Sequence, residues 1–194
     1  MLVNSMHYGT ITQPVPRSET DRRLGLSRKD NYSHSFALPQ PQLGRPWGVL
    51  LSGLESPLQA PWNKPPFGEL HAIDLTTKAL LWSRPIGSAR DTGPFNTAFG
   101  LPLEMGMPNF GGSIATAFGL VFIGATHDKT FRAFDNNSGK QLWQSRLPAG
   151  GQANPMTYRS PRSGQQFAII SAGGHALLRS QLGNAVVAYA LPKD

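Results

Sequence analysis

Leu70-His-Ala-Ile-Asp-Leu-Thr-Thr-Lys-Ala-Leu-Leu-Trp82 and Phe131-Arg-Ala-Phe-Asp-Asn-Asn-Ser-Gly-Lys-Gln-Leu-Trp143 are two copies of one unit. In each, an Ala stands two positions before an Asp and a Trp stands eight positions after it. Asp74 and Asp135 are 61 residues apart, as are Trp82 and Trp143. A fixed period of that size points to a stacked or circular repeat rather than one irregular core. Within the unit, an alternating apolar strand runs into a polar turn and a second strand, with Asn136-Asn137-Ser138-Gly139 as the turn of the second copy. This is the outer hairpin of a propeller blade, its Trp free to pack across to a neighbour. Asp74 and Asp135 are expected to accept backbone hydrogen bonds in the blade turns. Trp82 and Trp143 are expected to pack between blades.

The composition agrees with an all-β chain. Of 194 residues, 21 are Gly and 17 are Pro, so turns are frequent and long helices are disfavoured. No stretch approaches the ~20 consecutive apolar residues needed to span a bilayer. Met1 to Pro16 lacks the basic start and apolar run of a signal peptide. There is no cysteine, which removes disulfides, thiolate metal sites and thiol nucleophiles together. The formal charge of +7 is scattered, and its one local cluster, Arg17 to Lys29, is interrupted by Glu19 and Asp21. No basic helix or RNA-binding aromatic signature accompanies it, so no nucleic-acid partner is expected. An anionic membrane surface suits that charge better.

Working outward from the repeat, a short strand is expected at Met1–Val3 and another at Gly48–Ser52. Between them, residues 17–47 show no helical or strand period and read as a surface excursion or inter-blade insertion. One four-strand set follows at Ser113–Thr116, Leu120–Ala125, Phe131–Asp135 and Gln141–Ser145. A second comprises Ala153–Tyr158, Gln166–Ser171 and Ala185–Leu191, without a Trp strand. Residues 1–66 are thus expected to be a loop-rich segment with the end of an earlier blade, and 67–194 to be blades. About two and a half blades cannot close a ring that takes 4–8, so the chain is expected to be the C-terminal part of a larger propeller or a truncated product.

Gly106-Met-Pro-Asn-Phe-Gly-Gly-Ser-Ile-Ala-Thr116, Trp143-Gln-Ser-Arg-Leu-Pro-Ala-Gly-Gly-Gln-Ala-Asn-Pro-Met-Thr-Tyr158 and Ser171-Ala-Gly-Gly-His175, with Val187 to Pro192, resemble the C-terminal region of the membrane-bound quinoprotein dehydrogenases. The glucose dehydrogenases that use pyrroloquinoline quinone (PQQ) and their quinate/shikimate and polyol relatives share these segments. The resemblance is strong over residues 65–192 and weaker over the first seventeen. It implies the last two to three four-stranded blades of an eight-bladed propeller at the periplasmic face of the inner membrane. The activity it implies is oxidation of a sugar or polyol, glucose first among them, with electrons passed to ubiquinone. PQQ would be the cofactor, with a calcium or magnesium ion polarising it. The family's catalytic base and most of its metal ligands lie upstream of the matching region. No catalytic residue or metal ligand is therefore assigned here, and the chain alone is expected to be inactive.

Two residues match family positions around the quinone. Asp128 falls at a tight turn after a strand, where an Asp often just bonds its own backbone; the resemblance makes it a cofactor-binding residue instead. His175 follows Gly173-Gly174, which would let backbone approach a planar ligand, and its imidazole could donate to a quinone oxygen or move protons. The resemblance again selects the cofactor role over that of a loop histidine. Beyond His175 the chain departs from the pattern: Gln181 stands where the family has Lys and Asn184 where it has Asp. His71 and His127 lack partners at metal-ligand spacing and are given no chemistry. The alternatives to the glucose reading are a quinate/shikimate dehydrogenase and a non-enzymatic propeller scaffold lipoprotein.

Overall fold

A computed structural model describes residues 1–25, 39–42, 44–57, 61–93, 97–175, 178 and 180–190. They form two compact units, Met1–His7 with Lys64–Asp194, and Tyr8–Asn63. The larger holds three antiparallel sheets. The first contains β1 (Leu2–Met6), β5 (Gly68–Ile73) and β6 (Leu80–Pro85), in that order. The second runs β7 (Ser113–Ala115), β8 (Leu120–Ile123), β9 (Thr130–Asp135) and β10 (Gln141–Arg146). The third runs β11 (Met156–Arg159), β12 (Gln166–Ala172) and β13 (Ala185–Ala190). Residue 191, expected within the last strand, lies outside the described residues. The chain is all-β with three blade-like sheets.

Period-2 alternation on β8 and β9 explains how the sheets stack. Val121, Ile123 and Phe134 face the first sheet and pack with Leu70, Ala72, Trp82 and Ile86. Phe131 points the opposite way and packs with Leu147, Ala168, Ile170 and Ala172, with Phe122 and Tyr189 at the margin. Each Leu, Ile or Phe so buried contributes about 1.5–3 kcal/mol by leaving water. Both cores lie between sheets, so neither neighbour could hold its apolar face alone.

The repeated unit closes with the same turn chemistry twice. Asp74 accepts from Thr76 N (2.8 Å) and the Thr77 hydroxyl (2.9 Å). Asp135 accepts from Asn137 N (3.1 Å), Ser138 N (2.7 Å) and the Ser138 hydroxyl (2.7 Å). In both hairpins the Trp sits opposite the Ala, Trp82 across from Ala72 and Trp143 across from Ala133, next to a register shift. Trp82 docks on the turn of the following sheet: its indole Nε1 donates to the Asn136 carbonyl at 2.9 Å. A Cβ on Gly139, where φ is 67°, would lie 2.6 Å from the Trp82 ring. Only glycine lets the ring lie that close.

Trp143 is less enclosed, at 37% exposure against 8% for Trp82. It meets Tyr189 and Phe131 edge-on, at centroid distances of 4.9 and 6.1 Å. The positions of the third sheet that correspond to Asn136 and Gly139 are 191 and 194, which lie outside the described residues.

The first strand is longer than expected and belongs to the first blade-like sheet, where Leu2 pairs with Ala72 and Met6 with Gly68. Residues 8–63 are therefore an insertion between two hydrogen-bonded strands, β1 and β5. This second unit has its own sheet, β2 (Thr10–Pro16), β4 (Trp47–Gly53) and β3 (Gln40–Pro41) in order. It also contains α1, Arg17–Leu24, where no regular structure was expected. The helix has no apolar stripe for a sequence reading to find. Local charge holds it instead: Arg17 pairs with Asp21 (2.6 Å), and Glu19 pairs with Arg22 and Arg23 (both 2.7 Å). Gly25 ends it in the left-handed conformation. The rest of the expected excursion, 26–38 and 43, lies outside the described residues.

Replacing Trp82 with Ala is expected to lower the unfolding free energy by about 3–5 kcal/mol, the cost of emptying a buried aromatic site. Phe118→Ala, at a side chain 89% exposed, is the control and should cost less than about 0.5 kcal/mol. Denaturant titration of both variants checks the pair.

Candidate cofactor site

Antiparallel pairing sorts the connections of the larger unit onto two edges. The Asx turns at 74–79 and 136–140 join β5 to β6 and β9 to β10 on one edge. The connections β6–β7, β8–β9, β10–β11 and β12–β13 leave the other edge, and they carry Asp91, Asp128, Gln152 and His175. Hydrogen bonds tie these four loops together: Ser88 N to Asp128 Oδ2 (2.8 Å), Ala125 N to Gly151 O (2.8 Å), Gly150 N to Gln181 O (3.0 Å) and Gly174 N to Gly150 O (2.8 Å).

Asp128 lies in the β8–β9 connection between Ala125 and Lys129, two non-glycine residues at positive φ (51° and 49°). It is 1% exposed. Ser88 donates to its Oδ2 from backbone N (2.8 Å) and hydroxyl (2.9 Å), and Thr126 donates to Oδ1 (2.7 Å). Arg132, also buried, reaches both oxygens, Oδ1 at 3.2 Å and Oδ2 more closely. Burial pushes this carboxyl up, but the Arg132 charge and hydrogen bonds, with those from Thr126 and Ser88, outweigh it. The group is held below the usual carboxylate value.

Around this pair, Arg146 grips Asp91 through two bonds (2.5 and 2.9 Å) and also donates to the Asp128 carbonyl. Lys129 donates to Gln181 Oε1 at 2.8 Å and approaches Asp91 at 3.7 Å. Gln181, noted as a departure from the family pattern, is thus the acceptor for a lysine from the neighbouring loop. A polar cavity of about 190 Å³ opens alongside, with Ser88, Arg90, Glu104 and Arg146 among its walls.

His175 has different surroundings. Its ring lies against Phe110, 5.2 Å between centroids and tilted by 37°. Its Nδ1 is sealed from solvent and has no hydrogen-bond partner among the described residues. Its backbone is fixed on both sides by Ser180, whose hydroxyl accepts from His175 N (2.8 Å) and whose N donates to His175 O (3.2 Å). Gly174 before it takes φ 73°, and a Cβ there would collide with the Gln181 carbonyl. The glycine therefore serves close loop packing. The sequence reading had given it to ligand approach.

Asp128 and His175 share no hydrogen bond among the described residues. They are joined at one remove. Gln152 donates from Nε2 to the Thr126 carbonyl (3.0 Å) and accepts on Oε1 from the Ser180 hydroxyl (3.0 Å). His127, given no chemistry from sequence, hydrogen-bonds the Leu178 backbone, and its Nε2 is buried with no partner among the described residues. Burial lowers its pKa more than that bond and the Asp128 and Asp91 charges raise it.

Sequence reading also missed Ser88, Arg132, Gln152 and Ser180. The Gly150-Gly151 pair beside Gln152 was the one visible signal of a close backbone approach there.

Asp128→Asn keeps the volume but leaves Arg132 buried beside a neutral partner, which should cost about 3–5 kcal/mol at pH 7. A native pKa below the unfolded value of about 3.9 makes the contribution of the carboxylate complete above about pH 5; it is lost as pH falls through the native value. The stability gap between wild type and variant should therefore narrow at pH 3, as denaturant titrations at the two pH values would show.

Three relatives and one family model place the chain. The model described as the β-propeller domain of PQQ glucose/ethanol/alcohol dehydrogenases matches residues 1–168. A quinate/shikimate dehydrogenase (quinone) of Acinetobacter baylyi is 40% identical over 100% of this chain and 24% of its own length. A probable quinate dehydrogenase (quinone) of Xanthomonas campestris pv. juglandis is 46% identical over 99% of this chain and 24% of its own. A quinoprotein glucose dehydrogenase of Escherichia coli is 46% identical over 80% of this chain and 19% of its own. The chain spans about a quarter or less of these relatives. The matching model is that of a dehydrogenase domain. With most of its residues matched, this chain belongs to the β-propeller domain family of PQQ glucose/ethanol/alcohol dehydrogenases.

Proposed function

We propose that these blades belong to a PQQ-dependent dehydrogenase that oxidises a sugar or polyol, with glucose the first candidate, and passes electrons to ubiquinone at the periplasmic face of the inner membrane. The observation that carries the reading is the His175 imidazole. A polar ring nitrogen buried with no partner among the described residues costs stability, and a ligand with acceptor oxygens that displaces its cover relieves that cost. PQQ has such oxygens in its quinone and carboxylate groups.

When bound, PQQ supplies the two-electron acceptor for the substrate alcohol. The part of this chain is positional. His175 holds a proton on Nδ1 toward a cofactor oxygen, and Phe110 fixes the plane of the ring. Asp128, its oxygens already filled by Arg132, Thr126 and Ser88, acts through the loop geometry it sets. A calcium or magnesium ion is the second expected cofactor of the complete protein. No three His, Cys, Asp or Glu side chains converge among the described residues, so none of them is given to the ion.

Quinate is the second substrate reading, and one observation favours it. Of the relatives that match nearly the whole chain, the two quinate enzymes are 40% and 46% identical, whereas the glucose enzyme of Gluconobacter oxydans is 36% identical. Dye reduction by the complete holoenzyme with glucose and with quinate separates the two.

His175→Ala in the complete protein should raise the half-saturating PQQ concentration roughly ten- to a hundredfold, since a hydrogen bond to a charged group is worth about 1.5–3 kcal/mol. Titration of apo-protein at fixed calcium checks this. Unchanged half-saturation would return His175 to ordinary loop packing.

A further inference from the structure

We propose that Gln152 is a positioning residue for His175. This rests on the cofactor reading of that histidine. The backbone of His175 is held from both sides by one residue, Ser180: the hydroxyl takes the His175 N–H and the Ser180 N–H reaches the His175 carbonyl. A serine hydroxyl has one proton to give. Here it goes to Gln152 Oε1, which orients the oxygen lone pairs toward His175 N. Gln152 is itself anchored, because its Nε2 donates to the carbonyl of Thr126. Thr126 is held in turn by the Asp128 carboxylate through its hydroxyl.

The result is a continuous path, Asp128–Thr126–Gln152–Ser180–His175, that crosses from the β8–β9 connection through β10–β11 to β12–β13. Gln152 is buried, and both ends of its amide are bonded. That fixes which end is oxygen: Thr126 offers only an acceptor, so nitrogen must face it. A side chain that bridges two loops with a defined amide orientation sets where the second loop stands. Since the His175 backbone is pinned at N and O, moving Ser180 moves the imidazole. Gln152 touches neither ring nitrogen of His175, so its effect on a ligand must pass through the loop.

The test is an equilibrium PQQ titration of the complete apo-protein at fixed calcium, read by quenching of tryptophan fluorescence and accompanied by denaturant melting. Gln152→Ala should weaken PQQ binding about tenfold, equivalent to about 1.4 kcal/mol. Gln152→Glu, which still accepts from Ser180 but cannot donate to Thr126, should lose less. In a His175→Ala background, Gln152→Ala should produce no further loss of affinity. A merely structural glutamine would add its full effect there, and additivity within about 0.3 kcal/mol would overturn the inference. If Gln152→Ala does not fold, Ser180→Ala breaks the same bridge and must show the same loss and the same non-additivity. A His175→Ala protein that binds PQQ normally would remove the cofactor reading itself. Weakened binding in His175→Ala beside normal binding in Gln152→Ala would remove only the role of Gln152.

Discussion

Asp128 sits inside the contact between two blade-like sheets with both carboxylate oxygens filled by Arg132, Thr126 and Ser88. Removing a charge pair from water is expensive, and an apolar pair of the same shape would be at least as stable. What this pair adds is position. Ser88 leaves the outer strand of the first sheet, Arg132 stands on β9 of the second, and Thr126 belongs to the turn between β8 and β9. One carboxylate therefore sets how the exit of one sheet meets the turn of the next. It also fixes the Thr126 carbonyl to which Gln152 bonds, and through Gln152 the loop that carries His175.

The two edges of the sheets divide the labour. On one edge, Asp74 and Asp135 close the hairpin turns using groups within three residues of themselves. Such turns need no partner from afar, and Trp82 uses the smooth surface of one of them as a platform. On the other edge, four of the side-chain contacts bond across 26 residues or more: Ser88 to Asp128, Arg146 to Asp91, Lys129 to Gln181, Gln152 to Thr126. Chemistry that needs groups from several sheets can be assembled only there.

The same division explains what could be read from the sequence. The repeat was legible because its information is local: an alternating strand, an Asp that accepts from the next three residues, a Trp at fixed distance. Strands β5, β6 and β8 to β10 accordingly fall where the pattern put them. The helix α1 was not legible, because i,i+4 charge pairs and a glycine stop hold it without an apolar stripe. Nor was the pairing of β1 with β5, since more than sixty residues and a separate unit lie between these strands. Within the candidate site, the resemblance named Asp128 and His175, but it could not show that one is saturated by its own chain and that the other has a buried ring nitrogen with no partner among the described residues. That difference depends on Arg132, Ser88 and Ser180, none of which stands out by type or spacing.

The central claim is that His175 Nδ1, buried with no partner among the described residues, takes a cofactor oxygen in the complete protein. The structure of the complete protein with PQQ bound measures this directly. The account predicts a cofactor oxygen within about 3.2 Å of His175 Nδ1, with the Gln152–Ser180 bridge intact behind it. A PQQ position more than about 5 Å away, with Nδ1 bonded to a group of the protein, would contradict it.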